Sequence, residues 1–141
     1  MHRLVLTCVC ACLLLALPAR AQKPEESCFE KANTQLESNE CAAKEYAEAD
    51  AELNQVYKAI LEKYKKDPRF VEKLRAAQRA WLAFRDAEIE AKYPHANEPG
   101  YYGSILGMCD PLYRTQLTQE RVEKLREWLD GEAAHAVLPS R

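Results

Sequence analysis

The chain has 141 residues, with 22 Asp or Glu and 20 Lys or Arg, a length that suits one domain with one core. Its slightly negative balance argues against a phosphate backbone, and so against nucleic acid, as partner. No HExxH motif or Cys-x-x-Cys pair occurs, and the alternative of a Cys-x-Cys-x-Cys metal site at Cys8, Cys10 and Cys12 is disfavoured by its apolar neighbours, so no metal and no cofactor is expected.

The first 21 residues, MHRLVLTCVCACLLLALPARA, read as a signal peptide: early cations, an apolar run from Leu4 to Leu17, and a small-x-small site at Ala19-Arg20-Ala21. The run is too short to span a bilayer, so a mature chain with no membrane span and export to a periplasm-like compartment are expected. Cleavage after Ala21 removes Cys8, Cys10 and Cys12 and leaves 120 residues with a net charge of −4. That charge suits a cationic partner, though it is also an ordinary solubility charge. Cys28, Cys41 and Cys109 remain, and an oxidising compartment favours one disulfide with one thiol left over.

Ser27-Cys28-Phe29-Glu30 has the form of a capping box and starts a short helical turn; Thr34-Gln35-Leu36-Glu37 is a second box that opens a longer helix. Ala49, Leu53, Tyr57, Ile60 and Tyr64 recur at steps of three and four, widened by Val56 and Leu61, to an end near Lys66. Asp67-Pro68 caps the next helix, whose stripe is Phe70, Val71, Leu74, Ala77, Trp81, Phe84 and Ile89. Residues 92–110 hold most of the glycine and read as a long ordered connection. Asp110-Pro111 repeats the cap signal, followed by Leu117, Val122, Leu125 and Leu129 and a stop at Gly131. Residues 132–141 form a tail. The fold expected is all-α: a small antiparallel three-helix bundle over residues 22–131, with the connection between its second and third helices.

Two helices joined by almost no loop must fold back on each other. Residues whose numbers sum to about 134 then face one another: Leu53 and Trp81, Ile60 and Leu74, Tyr64 and Phe70, Asp50 and Arg85, with Asn54 and Tyr57 flanking Gln78. A bidentate Arg85–Asp50 bond is expected from this register. The network is read as packing around the tryptophan, with direct ligand contact as the alternative. In the connection, Tyr93, His95, Asn97, Glu98, Tyr101 and Tyr102 combine aromatic anchors with hydrogen-bonding tips, a mixture suited to protein recognition. The alternative is that Tyr101 and Tyr102 close the open end of the bundle.

ADAELNQVY (49–57), AQRAWLAFRDAE (77–88), Gly103-Ser104 and LTQER (117–121) together resemble, in order, the lysozyme inhibitor LprI-like family of small secreted helical proteins. The resemblance covers about residues 28–129. It marks Asp50, Leu53, Asn54, Tyr57, Gln78, Trp81, Arg85, Asp86, Gly103, Ser104 and Arg121 as motif positions and Cys28–Cys41 as the disulfide. A second cysteine pair usual in the family is replaced by Ile89 and Tyr113, and Cys109 is the odd thiol. What the resemblance implies is a non-enzymatic protein that binds a cationic lysozyme; an envelope-associated helical module without an enzyme target is the alternative. Nothing resembling a catalytic set stands out.

Overall fold

The structure, a computed structural model, describes residues 27–130; the expected signal peptide, the stop at Gly131 and the expected tail lie outside them. The order is α1 (Cys28–Lys31), α2 (Gln35–Lys63), α3 (Pro68–Lys92), a 3-10 turn (Gly103–Ile105) and α4 (Leu106–Asp130). The architecture is an all-α bundle of three long helices with a short N-terminal turn.

Local chemistry sets most of the boundaries. Both capping boxes form: Ser27 and Thr34 each accept from the backbone three residues on, and Glu30 and Glu37 reach back to the cap amides. Asp67 accepts from the Phe70 amide at 2.9 Å, with Pro68 in the first turn of α3. Helix α2 ends at Lys63, slightly before the expected stop, and residues 64–66 form the tight turn.

The expected start of the last helix is corrected. Helix α4 begins at Leu106 and carries Pro111 within it. A proline inside a helix removes one hydrogen bond and costs about 3 kcal/mol, which is why the dipeptide reads as a cap. Here tertiary contacts hold the extra turn. The Asn39 amide donates to the Ser104 carbonyl at 3.1 Å, and Asp110, instead of capping, binds Arg114 one turn on. Gly103 sits at φ +63° and turns the connection into the helix.

Contacts at both ends show that α2 and α4 run parallel, with α3 antiparallel to them. Asn39 meets Ser104 at one end, Glu52 pairs with Arg126 further along, and the Lys63 ammonium donates to the Trp128 carbonyl at the other. The closest packing is between α2 and α4. Its buried positions include small side chains, Ala42 and Ala49 on α2 and Thr115 and Thr118 on α4. A Cβ on Gly107 would lie 2.6 Å from the Asn39 amide. Leu53, Val56, Ile60, Leu74, Val122 and Leu125 form the core, flanked by Tyr57, Tyr64, Phe70, Trp81 and Trp128.

The expected α2–α3 register brings together Tyr64 and Phe70, ring centroids 4.2 Å apart, and Ile60 and Leu74 within one core cluster. Two stripe residues are corrected. Phe84 is half exposed and Ala77 is exposed, because the inward face of α3 runs through Leu74, Gln78, Arg85 and Ile89. Leu117 is only partly buried, its expected place in the core taken by Thr115 and Thr118.

Cys28 and Cys41 form a disulfide that ties α1 to α2, and Cys109 is a free thiol. Replacing both bonded cysteines by serine should lower the unfolding free energy by about 3 kcal/mol in the chain-entropy model, measured by urea melts. Alkylation of the denatured, non-reduced protein should label Cys109 alone among the described residues.

Candidate functional site

Two groups of polar side chains stand out, one inside the bundle and one on its end. The first surrounds Trp81, which lies on α3 and is partly buried. The Arg85 guanidinium lies 5.3 Å from the Trp81 ring centre and 5.8 Å from that of Tyr46 on α2; Arg121 of α4 lies 5.8 Å from Trp81. These distances are within cation–π range. Arg121 also donates through Nε to Gln78 Oε1 at 3.2 Å. Burial pulls the Arg121 pKa down from its ordinary value, as expected for a cation taken out of water.

The acids around Arg85 differ from the expected pair. Asp50 lies 3.7 Å from Arg85 Nη1, an ion pair without a hydrogen bond. The hydrogen-bonded partner is the adjacent Asp86, whose Oδ1 alone accepts from both Arg85 Nε and Nη2, at 3.2 and 3.1 Å. Asp50 instead accepts from Asn54 on its own helix at 2.9 Å, which holds its carboxylate back from Arg85. Asp86 reaches a second arginine, Arg114 of α4, at 3.4 Å. The chain of charges therefore runs Asp50, Arg85, Asp86, Arg114, Asp110 and touches all three long helices. Glu88 adds another tie, accepting from the Tyr113 hydroxyl at 3.4 Å, while the Lys92 ammonium sits 3.7 Å from the Tyr113 ring centre.

Leu53 is in the core and Tyr57 packs against it; Gln78 is buried, and Asn54 is exposed. Gly103 and Ser104 act through the backbone, as the turn and as the acceptor for Asn39. Asn39, Tyr46 and Arg114 carry no motif signal, and Asp110 carries only the cap signal that the structure does not use. Only the Asp110-to-Arg114 spacing of four could have suggested one pair.

The second group is the connection, residues 93–102. Backbone bonds from Ala96, Glu98, Tyr101 and Gly103 to carbonyls three residues earlier wind it into successive turns. Tyr93 points inward: its hydroxyl donates to the Cys109 carbonyl at 3.2 Å and its ring meets Tyr102 edge-on at 5.7 Å. Burial, reinforced by nearby Cys109 and Asp110, raises the Tyr93 pKa. A raised phenol pKa contributes stability below the free value near 10 that is lost as pH climbs through the folded value. Tyr101 points outward, 57% exposed, stacked on His95 at 4.3 Å. His95 Nδ1 is 2.7 Å from Glu98. Asn97 lines a groove with Pro94, Asp110 and Arg114. Tyr101 and Tyr102, grouped by the sequence, are thus split between surface and scaffold.

No three His, Cys, Asp or Glu side chains among the described residues converge as a metal site requires. No helix among them is long and apolar enough to cross a membrane.

A family model described as lysozyme inhibitor LprI matches residues 28–125. An uncharacterized protein of Rhizobium meliloti (strain 1021) is 32% identical over 130 residues, covering 84% of this chain and 90% of the relative. No solved structure matches.

Asp50→Ala should cost only about 1 kcal/mol, since Asp86 still neutralises Arg85. Asp50→Ala with Asp86→Ala should cost about 3 kcal/mol or more, because a buried guanidinium then loses both acids. Urea melts of the four-member cycle should show this excess over additivity. Tyr102→Ala should lower the melting temperature clearly, whereas Tyr101→Ala should leave it nearly unchanged.

Proposed function

The chain belongs to the lysozyme inhibitor LprI family, and from that premise we propose that it binds a lysozyme-like muramidase outside the cytoplasm and blocks its cleft without chemistry of its own. The observation that supports a specific surface is Tyr101. Its ring is exposed, yet it is held by the His95 stack and by Glu98 behind the histidine. A rigid exposed aromatic loses little freedom on binding and is a common anchor in protein interfaces.

Charge supports the same end of the molecule. Residues 27–57 hold seven acids against two Lys, and the Asn39–Ser104 bond places the start of this segment beside the connection. A cationic muramidase would be steered there, and its glycosidase chemistry needs two carboxylates that an occupied cleft makes unreachable. Tyr101, His95, Asn97 and Glu98 supply the contacts; Tyr93 and Tyr102 hold the loop in shape.

The test is hydrolysis of peptidoglycan by several lysozyme classes, with and without the purified mature protein. Inhibition at micromolar concentration is expected, with association slowing as salt rises. Tyr101→Ala should raise the dissociation rate by roughly 30-fold, the scale of an interface hot spot. A protein that leaves every class uninhibited would hand the function to the envelope-associated module.

A further inference from the structure

The seam between α2 and α3 carries a surface with no part in the preceding reading. Two adjoining grooves run along it and share Arg75 and Arg79, which lie four residues apart on α3. Lys65 and Glu72 line one groove; Asn54, Tyr57 and the edge of Gln78 line the other. From Pro68 to Leu82 the combined groove extends about 21 Å at the helical rise per residue.

The two arginines have no carboxylate within ion-pair distance among the described residues. The acids that line the groove, Glu72 and Asp50, contact other groups. Glu72 contacts Lys73 at 3.5 Å, and Asp50 serves Arg85 and Asn54. Around this seam the charge inverts: residues 58–79 carry eight Lys or Arg and three acids in a chain that is acidic overall. A long groove with guanidiniums one turn apart suits an extended ligand bearing spaced oxyanions, which each guanidinium can take bidentately. The partly buried Tyr57 and the exposed Asn54 both line the groove and add an aromatic edge and a hydrogen-bonding tip, features that suit a sugar ring.

A membrane is a poorer fit. The exposed large apolar side chains among the described residues are Leu36, Phe84, Tyr101 and Ile105, none of which lines either groove. A nucleic acid strand would need a denser row of cations than one interrupted by Glu72 and Asp50.

We propose that the α2–α3 groove binds an acidic glycan strand, Arg75 and Arg79 taking carboxylates along it and Tyr57 packing against a sugar ring. The site lies on a different surface from the muramidase contact and stands whether or not inhibition is found.

The probe is a galacturonic acid hexamer, with a neutral chitin hexamer and anionic phospholipid vesicles in parallel. Calorimetry at low salt should show binding of the acidic hexamer only. Arg75→Gln with Arg79→Gln should weaken it at least tenfold and reduce the salt slope by about two. Lys44→Gln with Lys124→Gln, an equal charge change on exposed positions outside the groove, should leave affinity within about twofold. Amide shifts of the wild-type protein should map to Tyr57, Arg75 and Arg79, a readout independent of whether the variants fold. Equal loss in both double variants, shifts centred on the connection, binding of vesicles instead of the hexamer, or no binding would each overturn the proposal.

Discussion

The fold depends on a tryptophan that two guanidiniums approach. Arg85 comes from the same helix as Trp81, Arg121 from α4, and Arg85 also lies within cation–π range of Tyr46 on α2. Burying arginine is costly, and Arg85 Nη1 and Arg121 Nη2 find no hydrogen-bond acceptor among the described residues. The aromatic faces and the chain of alternating charges through Asp86 and Arg114 offset that cost. What the arrangement contributes is specificity of packing. Helices joined only by apolar stripes can slide by a turn, whereas a guanidinium displaced from its ring and its acid loses both.

The three long helices are not equivalent. Small residues let α2 and α4 approach until Asn39 fills the space a side chain on Gly107 would occupy. Helix α3 meets this pair through longer side chains, Leu74, Gln78, Trp81 and Arg85, and the wider spacing leaves grooves along its seam with α2. One helix pair thus provides a rigid spine, and the third supplies polar atoms between itself and that spine. At the position where relatives are expected to carry a second disulfide, Ile89 is buried and Tyr113 reaches Glu88 and Lys92. The tie between α3 and α4 is noncovalent there.

Much of this was legible in residue order. Two capping boxes, Asp67-Pro68 and the nearly loopless turn were enough to fix helix direction and the pairing of Tyr64 with Phe70. The misreadings share a cause. Pro111 and Thr118 look wrong for a helix interior and a core by local propensity, yet Pro111 lies inside α4 and Thr118 is fully buried. Tyr101 and Tyr102 are adjacent and chemically identical, so no pattern in the chain could tell which faces water. The pairing of Arg85 with Asp50 that register indicates does form, as an ion pair at 3.7 Å, but the hydrogen bonds of Arg85 go to the nearer Asp86 on its own helix. Asn39 and Arg114 act through partners 65 and 28 residues distant, contacts that exist only after the bundle has formed.

Pro111 gives α4 a built-in division. Without its N–H, no helical bond ties it to the Gly107 carbonyl, so the helix's first turn is joined to the rest by one bond fewer than any later turn. That turn and the preceding 3-10 segment rest on Asn39, on the Asp110–Arg114 pair and on the Tyr93 hydroxyl. That turn is therefore held mainly by side-chain contacts to α2 and to the connection rather than by the helix ladder alone. It is covalently continuous with Tyr101. The end of the molecule that presents its exposed aromatic therefore takes its shape from a handful of polar contacts, whereas the body of the bundle takes its shape from the apolar core.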